Sequence, residues 1–466
     1  MTYAGRRGDR IAAGGLFSLT LLLGGGSVVF PIQRMIVEFG AVLILAWFCL
    51  RGWRAERGMA ANVGLAIIGL TIALILVQLV PLPPAWWQAL PGRALPAEVL
   101  SVAGAPDQWL PISFDATATR ATLFYFLVPA MLFVATLHLD RDGHRLLLIL
   151  FAGFAMVNAL LVVLQAQGVT ALTMYWTTAT RPGFGLFANK NHCAVLLVAA
   201  MPTSVAVCQD LLRARSQATR YMASAAVLVL LALTVFGCLS RAGLAVMPVG
   251  LGAALLIAAR DRLSRRTITL GAGIFVAVVL FAYVVLPRTY IVAETLQRFN
   301  ADREGRYDFW PDVLAAIRTY FPVGSGLGTF VEVFTVHETL ENVHLTYTNH
   351  AHSDYLEILL ETGVAGVALV IAFLAWFSAI AWRRLRASWN GAGFAMVVSL
   401  TTAIIVLLVH SALDYPLRTL TMAGILAVAA AILASPLEFR GAISSPNRYG
   451  RHERSRRRTR QTHATA

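Results

Sequence analysis

The stretch "HAHSDYLEILLETG" (350–363) sets His350, His352, Asp354, Glu357 and Glu361 within a few turns of chain. Histidine is the usual general base near neutral pH, and a neighbouring carboxylate orients its ring. Read as a helix, His350, Asp354, Glu357 and Glu361 stand at i, i+4, i+7 and i+11 and share one face. His352 then points elsewhere, with Tyr355 and Leu356. Asp354 and Glu357 also fit a D-x-x-E capping pattern, which starts the helix at Asp354 and leaves both histidines ahead of it, either able to approach a substrate. A metal reading would join His337, His344, His350 and His352. It lacks an H-E-x-x-H pattern and a cysteine partner, so neither a metal ligand nor a cofactor is expected.

Other polar motifs belong with this one. "LSRAGL" puts Arg241 at a tight turn, and Arg306 precedes an expected helix over 308–320 with Pro311 near its first turn. "RPGFGLFANKNH" carries Arg181, Asn189, Lys190 and Asn191, and Lys190 is the only lysine in the chain. "PVGSGLGTF" supplies Gly324, Gly326 and Gly328, a spacing that permits a tight turn and close backbone approach to a ligand. It is not a dinucleotide fingerprint, because no strand precedes it. Arginines clamp phosphate or diphosphate with charge-assisted, often bidentate hydrogen bonds. Together with a histidine base they suit attack by an alcohol on a phosphorylated, lipid-linked substrate.

The elements that must position these residues are membrane helices. The chain has 466 residues, of which 58% are hydrophobic and 13% charged. Its mean hydropathy is +0.68. Apolar runs of about 18–22 residues recur, each long enough to cross the hydrocarbon core, and they lack barrel alternation. About twelve spans are expected, near 12–30, 35–50, 60–80, 121–139, 146–166, 192–208, 221–239, 242–259, 268–286, 364–382, 393–411 and 419–435. The expected class is therefore an all-α polytopic integral membrane protein. Its organisation is an N-terminal membrane region (1–286) with an outer loop at 81–120, a large outer loop (287–363) carrying the candidate site, C-terminal spans (364–435) and a basic disordered tail (436–466).

Basic residues orient the chain. Twelve spans put both termini on one side, and that side holds 26 of the 38 Lys+Arg. By the positive-inside rule it is cytoplasmic, which leaves the motifs above outside the cytoplasm, where ATP and nucleotide sugars are not expected. The net charge of +14 is then mainly a topology signal, and the tail is expected at anionic lipid headgroups rather than on nucleic acid. The first apolar run lacks an A-x-A-like cleavage site and is expected to be a span. Cys49, Cys193, Cys208 and Cys238 all fall in expected spans with no CxxC pair, and are expected to act as small apolar residues. Trp86 and Trp87 are expected as interface anchors.

The order of "FANKNHCA" (187–194), "SRAGL" (240–244), "GRYDFW" with "PVGSGLGTF" (305–330) and "HAHSDYLEILLETGVAG" (350–366) resembles the bacterial O-antigen ligase and polymerase superfamily. The resemblance covers about 180 residues, and the span count and the large late loop agree with it. It implies a GT-C-like, metal-independent, inverting glycosyltransferase of the inner membrane with its active site on the periplasmic face. The implied donor is an undecaprenyl-diphosphate-linked glycan. The implied acceptor is a sugar hydroxyl of lipid A core for a ligase, a second lipid-linked glycan for a polymerase of O-antigen or exopolysaccharide repeats, or a protein hydroxyl for an O-oligosaccharyltransferase.

Residue by residue, Arg241 matches the family's span-end arginine and Arg306 its loop arginine. The family histidine is followed by Asn, Ser or Gln, then nine residues, then Gly, a pattern that His352, Ser353 and Gly363 fit. The resemblance thus makes His352 the implied base, with His350, Asp354 and Glu361 beside the substrate. A lipid-linked glycan transporter or flippase is the rival from another class. Against it, the spans hold few ionisable groups, Glu38 and His410 being the main exceptions, whereas coupled transporters place such groups near the midplane.

Overall fold

The computed structural model describes residues 3–26, 30–51, 58–178, 181–182, 184–260, 306–343, 347–391 and 393–436. The chain is an all-α polytopic membrane protein. Among the described residues, strand structure is confined to a hairpin, β1 (Trp176–Thr178) with β2 (Arg181–Pro182). Eight helices are long and apolar enough to cross a membrane. They are α2 (Pro31–Arg51), α3 (Met59–Gln78), α6 (Ala116–Leu137), α7 (Arg141–Ala166), α8 (Lys190–Leu211), α9 (Gln217–Gly237), α10 (Arg241–Ala259) and α13 (Asp354–Ser388). Three more helices fall on expected spans: α1 (Tyr3–Leu23) and the shorter, apolar α14 (Phe394–His410) and α15 (Leu420–Ala434). The expected span at 268–286 lies outside the described residues, as do the loop segment 287–305 and the tail from 437 onward.

Helices associate here through small residues and shape, because lipid tails are as apolar as leucine. α8 is the most enclosed span and packs against α7, α9, α10 and α14. Gly243 and Gly250 let α10 approach it: a Cβ on Gly243 would lie 2.5 Å from the Cβ of Ala194, and one on Gly250 2.5 Å from the Val198 carbonyl oxygen. α15 packs against α6 and α1. Glu38 accepts from Arg34 one turn earlier at 2.6 Å, which accounts for a carboxylate within an apolar helix. At the opposite end of the bundle Arg10 of α1 pairs with Asp140 at the start of α7.

The segments on the site's side of the bundle form a layer with its own core. The first comprises α4 (Pro84–Trp87) and α5 (Ala94–Val102), and the second α11 (Arg306–Tyr320) and α12 (Phe330–His337). Phe309, Val313, Phe330, Phe334 and Leu360 are buried together there. α11 starts two residues before the expected helix, so Pro311 falls in its second turn rather than near its first. Trp87 is no interface anchor: it is 1% exposed, and its indole N–H donates to the Gln108 carbonyl at 2.9 Å, whereas Trp86 is 67% exposed.

α13 carries the two layers together. Ser353, not Asp354, caps it, with its Oγ accepting from the Leu356 amide. Its first turns pack with α11 and α12, and its remainder runs on as a span. The change of direction falls at Gly363, whose φ of 55° and ψ of −140° lie in a region open essentially to glycine. A Cβ there would meet the Pro322 carbonyl oxygen at 1.9 Å. Gly363→Ala is therefore expected to destabilise the protein by at least about 1–3 kcal/mol. A lower melting temperature in detergent, with reduced accumulation in membranes, is the measurement; wild-type melting would overturn this account of the turn.

Candidate functional site

The site is organised by the segment between α14 and α15, "SALDYPLRT" (411–419), in sequence no more than a short turn between two spans. Asp414 lies in it and is fully buried. Its Oδ1 accepts from the Tyr415 amide at 3.0 Å, and its Oδ2 from Asn191 Nδ2 at 2.9 Å. Three imidazoles surround the same carboxylate. His352 Nδ1 is 3.4 Å from Oδ1, His410 Nε2 3.6 Å from Oδ2, and His192 Nε2 4.0 Å from Oδ1. Burial would raise the Asp414 carboxyl, but the contact with His352 and the facing His192 and His410 outweigh it and hold it well below the usual carboxylate range.

Asn191 extends the network to α10. Its Oδ1 accepts from Ser240 Oγ at 2.8 Å, and Ser240 caps α10 by accepting from the Gly243 amide at 3.0 Å. Arg241 is the first residue of that helix, and its side chain is exposed. Asn189 caps α8 through the Asn191 amide at 2.8 Å. The motifs "FANKNHCA", "SRAGL" and "HAHSD" thus meet around one carboxylate.

His352 has a φ of 49°, uncommon for a residue with a side chain. Its neighbours hold the backbone there. The Asp354 amide donates to the Ser411 carbonyl at 2.9 Å, the Ala351 amide to Glu357 Oε2 at 3.0 Å, and Trp310 Nε1 to the Ala351 carbonyl at 2.9 Å. Such an outlier persists only where its surroundings over-determine it, and it marks a functional candidate. The His352 side chain is 26% exposed, so it joins the buried Asp414 to the accessible surface.

A second hub lies beside the first. The Arg418 guanidinium faces three buried carboxylates: Glu361 at 2.9 Å, Glu357 at 3.4 Å and Asp354 at 3.9 Å. Burial opposes the charge on Arg418, but Glu357, Glu361 and Asp354 raise its pKa above the ordinary arginine value. Asp354 Oδ2 also accepts from Ser411 Oγ at 2.7 Å, and Glu361 Oε1 from the Gly328 amide at 2.9 Å. His350 belongs to this hub. Its Nδ1 is 2.9 Å from Glu357 Oε1, and its ring lies 4.2 Å from that of Tyr415. Tyr415 also meets the rings of His352 and His192 at 5.0 and 5.1 Å, so it separates the two hubs while touching both.

The two histidines of the motif therefore have different partners. The face shared by His350, Asp354, Glu357 and Glu361 turns inward onto Arg418, and His352 turns to Asp414. Gly324, Gly326 and Gly328 all have positive φ, and the loop presses on the protein itself. A Cβ on Gly326 would lie 2.6 Å from Ser113, and one on Gly324 2.6 Å from the Glu361 backbone. Gln78 of α3 pins the same turn, donating to the Glu361 carbonyl at 2.9 Å and accepting from the Leu327 amide at 3.0 Å. This packing accounts for the three glycines without a ligand. Lys190 is exposed at the start of α8. The Arg181 and Arg306 side chains lie outside the described ones, although Arg181 is placed in β2 and Arg306 at the start of α11.

Of the four histidines that a metal reading would join, the three among the described residues have different partners. His337 contacts the Val333 carbonyl and Thr319 Oγ1, His350 and His352 have separate carboxylates, and His344 lies outside the described residues. Asp414, Tyr415, Arg418 and Ser240 were not among the expected site residues. The one signal for Asp414 and Arg418 was a pair of opposite charges in a short turn between two spans.

An apolar cavity of about 540 Å³ opens between α3, α6, α13 and α15. Phe133, Phe373 and Trp376 line its depth, and Arg34, His350 and Arg418 its polar end. It thus reaches the second hub from the membrane region.

Residues 226–371 match the family model described as O-antigen ligase. That segment contains Arg241, Arg306, His350, His352, Asp354 and Glu361. The match supports the O-antigen ligase and polymerase superfamily, and with it an enzyme of the ligase or polymerase type. No curated protein matches the chain.

Removing one partner of a buried ion cluster leaves uncompensated charge. Arg418→Met is expected to destabilise the protein by about 3–5 kcal/mol. Arg418→Lys keeps the charge but loses the planar fork, and should fall between. Melting temperatures of the two variants in detergent, ordered methionine below lysine below wild type, are the check.

Proposed function

We propose that this O-antigen ligase-superfamily protein transfers a glycan from an undecaprenyl-diphosphate-linked donor to a hydroxyl acceptor at the periplasmic face of the bacterial inner membrane. A sugar hydroxyl of lipid A core is the acceptor we favour, since the family model that matches is that of the ligases. The observation that carries the reading is the His352–Asp414 pair, buried on one side and open on the other, on the same face as the start of α10 with its Arg241.

In this reading the acceptor hydroxyl approaches His352, which takes its proton as the oxygen attacks the anomeric carbon. The bond from that carbon to the diphosphate oxygen breaks, and the glycan inverts at the anomeric centre. Arg241 and Arg306 stabilise the charge developing on the departing undecaprenyl diphosphate. Asp414 acts through His352 as a positioning residue, holding the ring in place. The chemistry asks for no metal. Lys190, Asn189, Asn191 and Arg181 border the approach of the donor headgroup. The apolar cavity suits a lipid chain of one substrate, with membrane lipids able to enter it.

His352→Ala is expected to lower transfer by about 10²–10⁴-fold. Arg241→Ala and Arg306→Ala should each lower it by about 10²–10³-fold. All three should accumulate normally in the membrane. Reconstituted protein, lipid-linked donor and rough lipopolysaccharide provide the assay, with released undecaprenyl diphosphate as the readout. Full activity in all three variants would sink the mechanism. Movement of donor across the bilayer without its consumption would favour a flippase instead. Gel analysis of a deletion strain separates the acceptors. Unmodified lipid A core with accumulated lipid-linked polymer marks a ligase, and single repeat units mark a polymerase.

Asp414→Asn keeps the shape of the side chain and removes its charge. Transfer should fall through kcat, with KM for donor little changed, because Asp414 touches His352 and not substrate. A fall confined to KM would remove Asp414 from this role.

A further inference from the structure

His192 and His410 have no part in the transfer chemistry, yet both ring edges turn to Asp414. His192 is the third residue of α8 and His410 the last of α14, and both are 1% exposed. One donor atom from each of His192, His410 and Asp414 lies within 4.8 Å of the other two. Neither ring nitrogen of His192 makes a hydrogen bond to any described residue. Buried polar atoms in native proteins have partners, and a nitrogen 4.0 Å from a carboxylate oxygen is too far for a hydrogen bond. The gap is of the right order for an ion. Tetrahedral zinc with nitrogen and oxygen bonds of about 2.0–2.1 Å holds its donors roughly 3.3 Å apart, so a small inward movement of the side chains completes the site.

We infer that His192, His410 and Asp414 form a binding site for one first-row transition-metal dication, with Zn²⁺ as the natural occupant, and that its occupancy shuts off transfer. Two imidazoles and one carboxylate are a zinc-type donor set, and they are poor ligands for Mg²⁺ or Ca²⁺, which take oxygen. Outer contacts that orient such ligands are present. Asn191 Nδ2 and the Tyr415 amide each hold one oxygen of Asp414, and the Tyr415 ring stands edge-on to His192 at 5.1 Å. His352 connects the buried carboxylate to the surface and gives the ion a way in.

The inhibitory consequence rests on the role proposed above for His352. Asp414 bonded to a dication no longer holds the imidazole 3.4 Å away in position. Metal binding and the positioning of His352 therefore compete for one carboxylate, and the metal takes no part in the transfer step.

The test uses full-length protein in detergent, stripped with EDTA and freed of any polyhistidine tag. It is titrated with Zn²⁺ alone and Co²⁺ alone. About one ion per chain is expected, with the visible cobalt absorption of a low-coordinate nitrogen and oxygen site. Zn²⁺ should suppress transfer, and EDTA should restore it. His192→Phe keeps an aromatic ring beside Tyr415 and removes both donors. It should retain metal-free transfer and the wild-type melting temperature, bind metal about a hundredfold more weakly, and continue transfer in Zn²⁺. His410→Gln serves in its place if that variant melts early. Absence of stoichiometric binding overturns the site, as does unchanged affinity in the variant. Stoichiometric binding that leaves transfer intact overturns the competition with His352. Stoichiometry and cobalt absorption do not depend on turnover, so failure of the glycosyltransferase reading would be told apart from failure of the site.

Discussion

Asp414 is buried to the last atom, and its two oxygens are shared by the ends of several membrane helices. Asn191 reaches it from α8, His410 from α14, and His352 from the segment leading into α13. Ser240, the cap of α10, reaches it through Asn191. A carboxylate in a low-dielectric interior must be surrounded by donors or opposite charge. That requirement fixes where these helix ends stop. It also brings Arg241 and His352, far apart in sequence, to one face of the bundle.

Arg418 meets the same requirement for the other acidic residues. Asp354, Glu357 and Glu361 lie on successive turns of one helix face, and no lipid or apolar neighbour tolerates three such groups together. One guanidinium, the Ser411 hydroxyl and a set of backbone amides face them. The glycine turn at 324–328 then packs on the end of this helix segment, held by Gln78. The carboxylates of the motif are therefore supports for its backbone. The residue they hold up is His352, in a conformation that a side chain rarely adopts.

The bundle separates its chemistry by depth. Polar networks gather where α3, α8, α10, α14 and α15 begin or end, and the helix bodies below are packed through alanine, valine, leucine and isoleucine. Glu38, the acidic group that seemed out of place in an apolar run, is spent on Arg34. An arrangement with the Asp414 and Arg418 clusters at helix ends and an apolar cavity leading up to the second fits an enzyme acting on lipid-anchored substrates better than a carrier that moves a charged headgroup through the midplane.

Hydropathy in a window is a local property, and it was enough to locate eleven of the expected spans on helices. The twelfth, 268–286, falls outside the described residues. The helix start at Asp354 was also legible, because capping chemistry is local, although the cap proved to be Ser353. The burial of Trp87 was not legible, since a tryptophan at a span end looks the same in sequence whether it faces lipid or a loop folded over it. The helical period grouped His350 with the carboxylates, and family spacing singled out His352; neither indicated why the two differ. The sequence by itself thus determined a helical membrane protein with its reactive residue types concentrated on one side. Only the tertiary structure decided which of them touch. Asp414 and Arg418 sit in a turn with no periodicity and no motif, and a buried charge is stabilised by whichever helix ends are nearest in space, a pairing that no sequence spacing encodes.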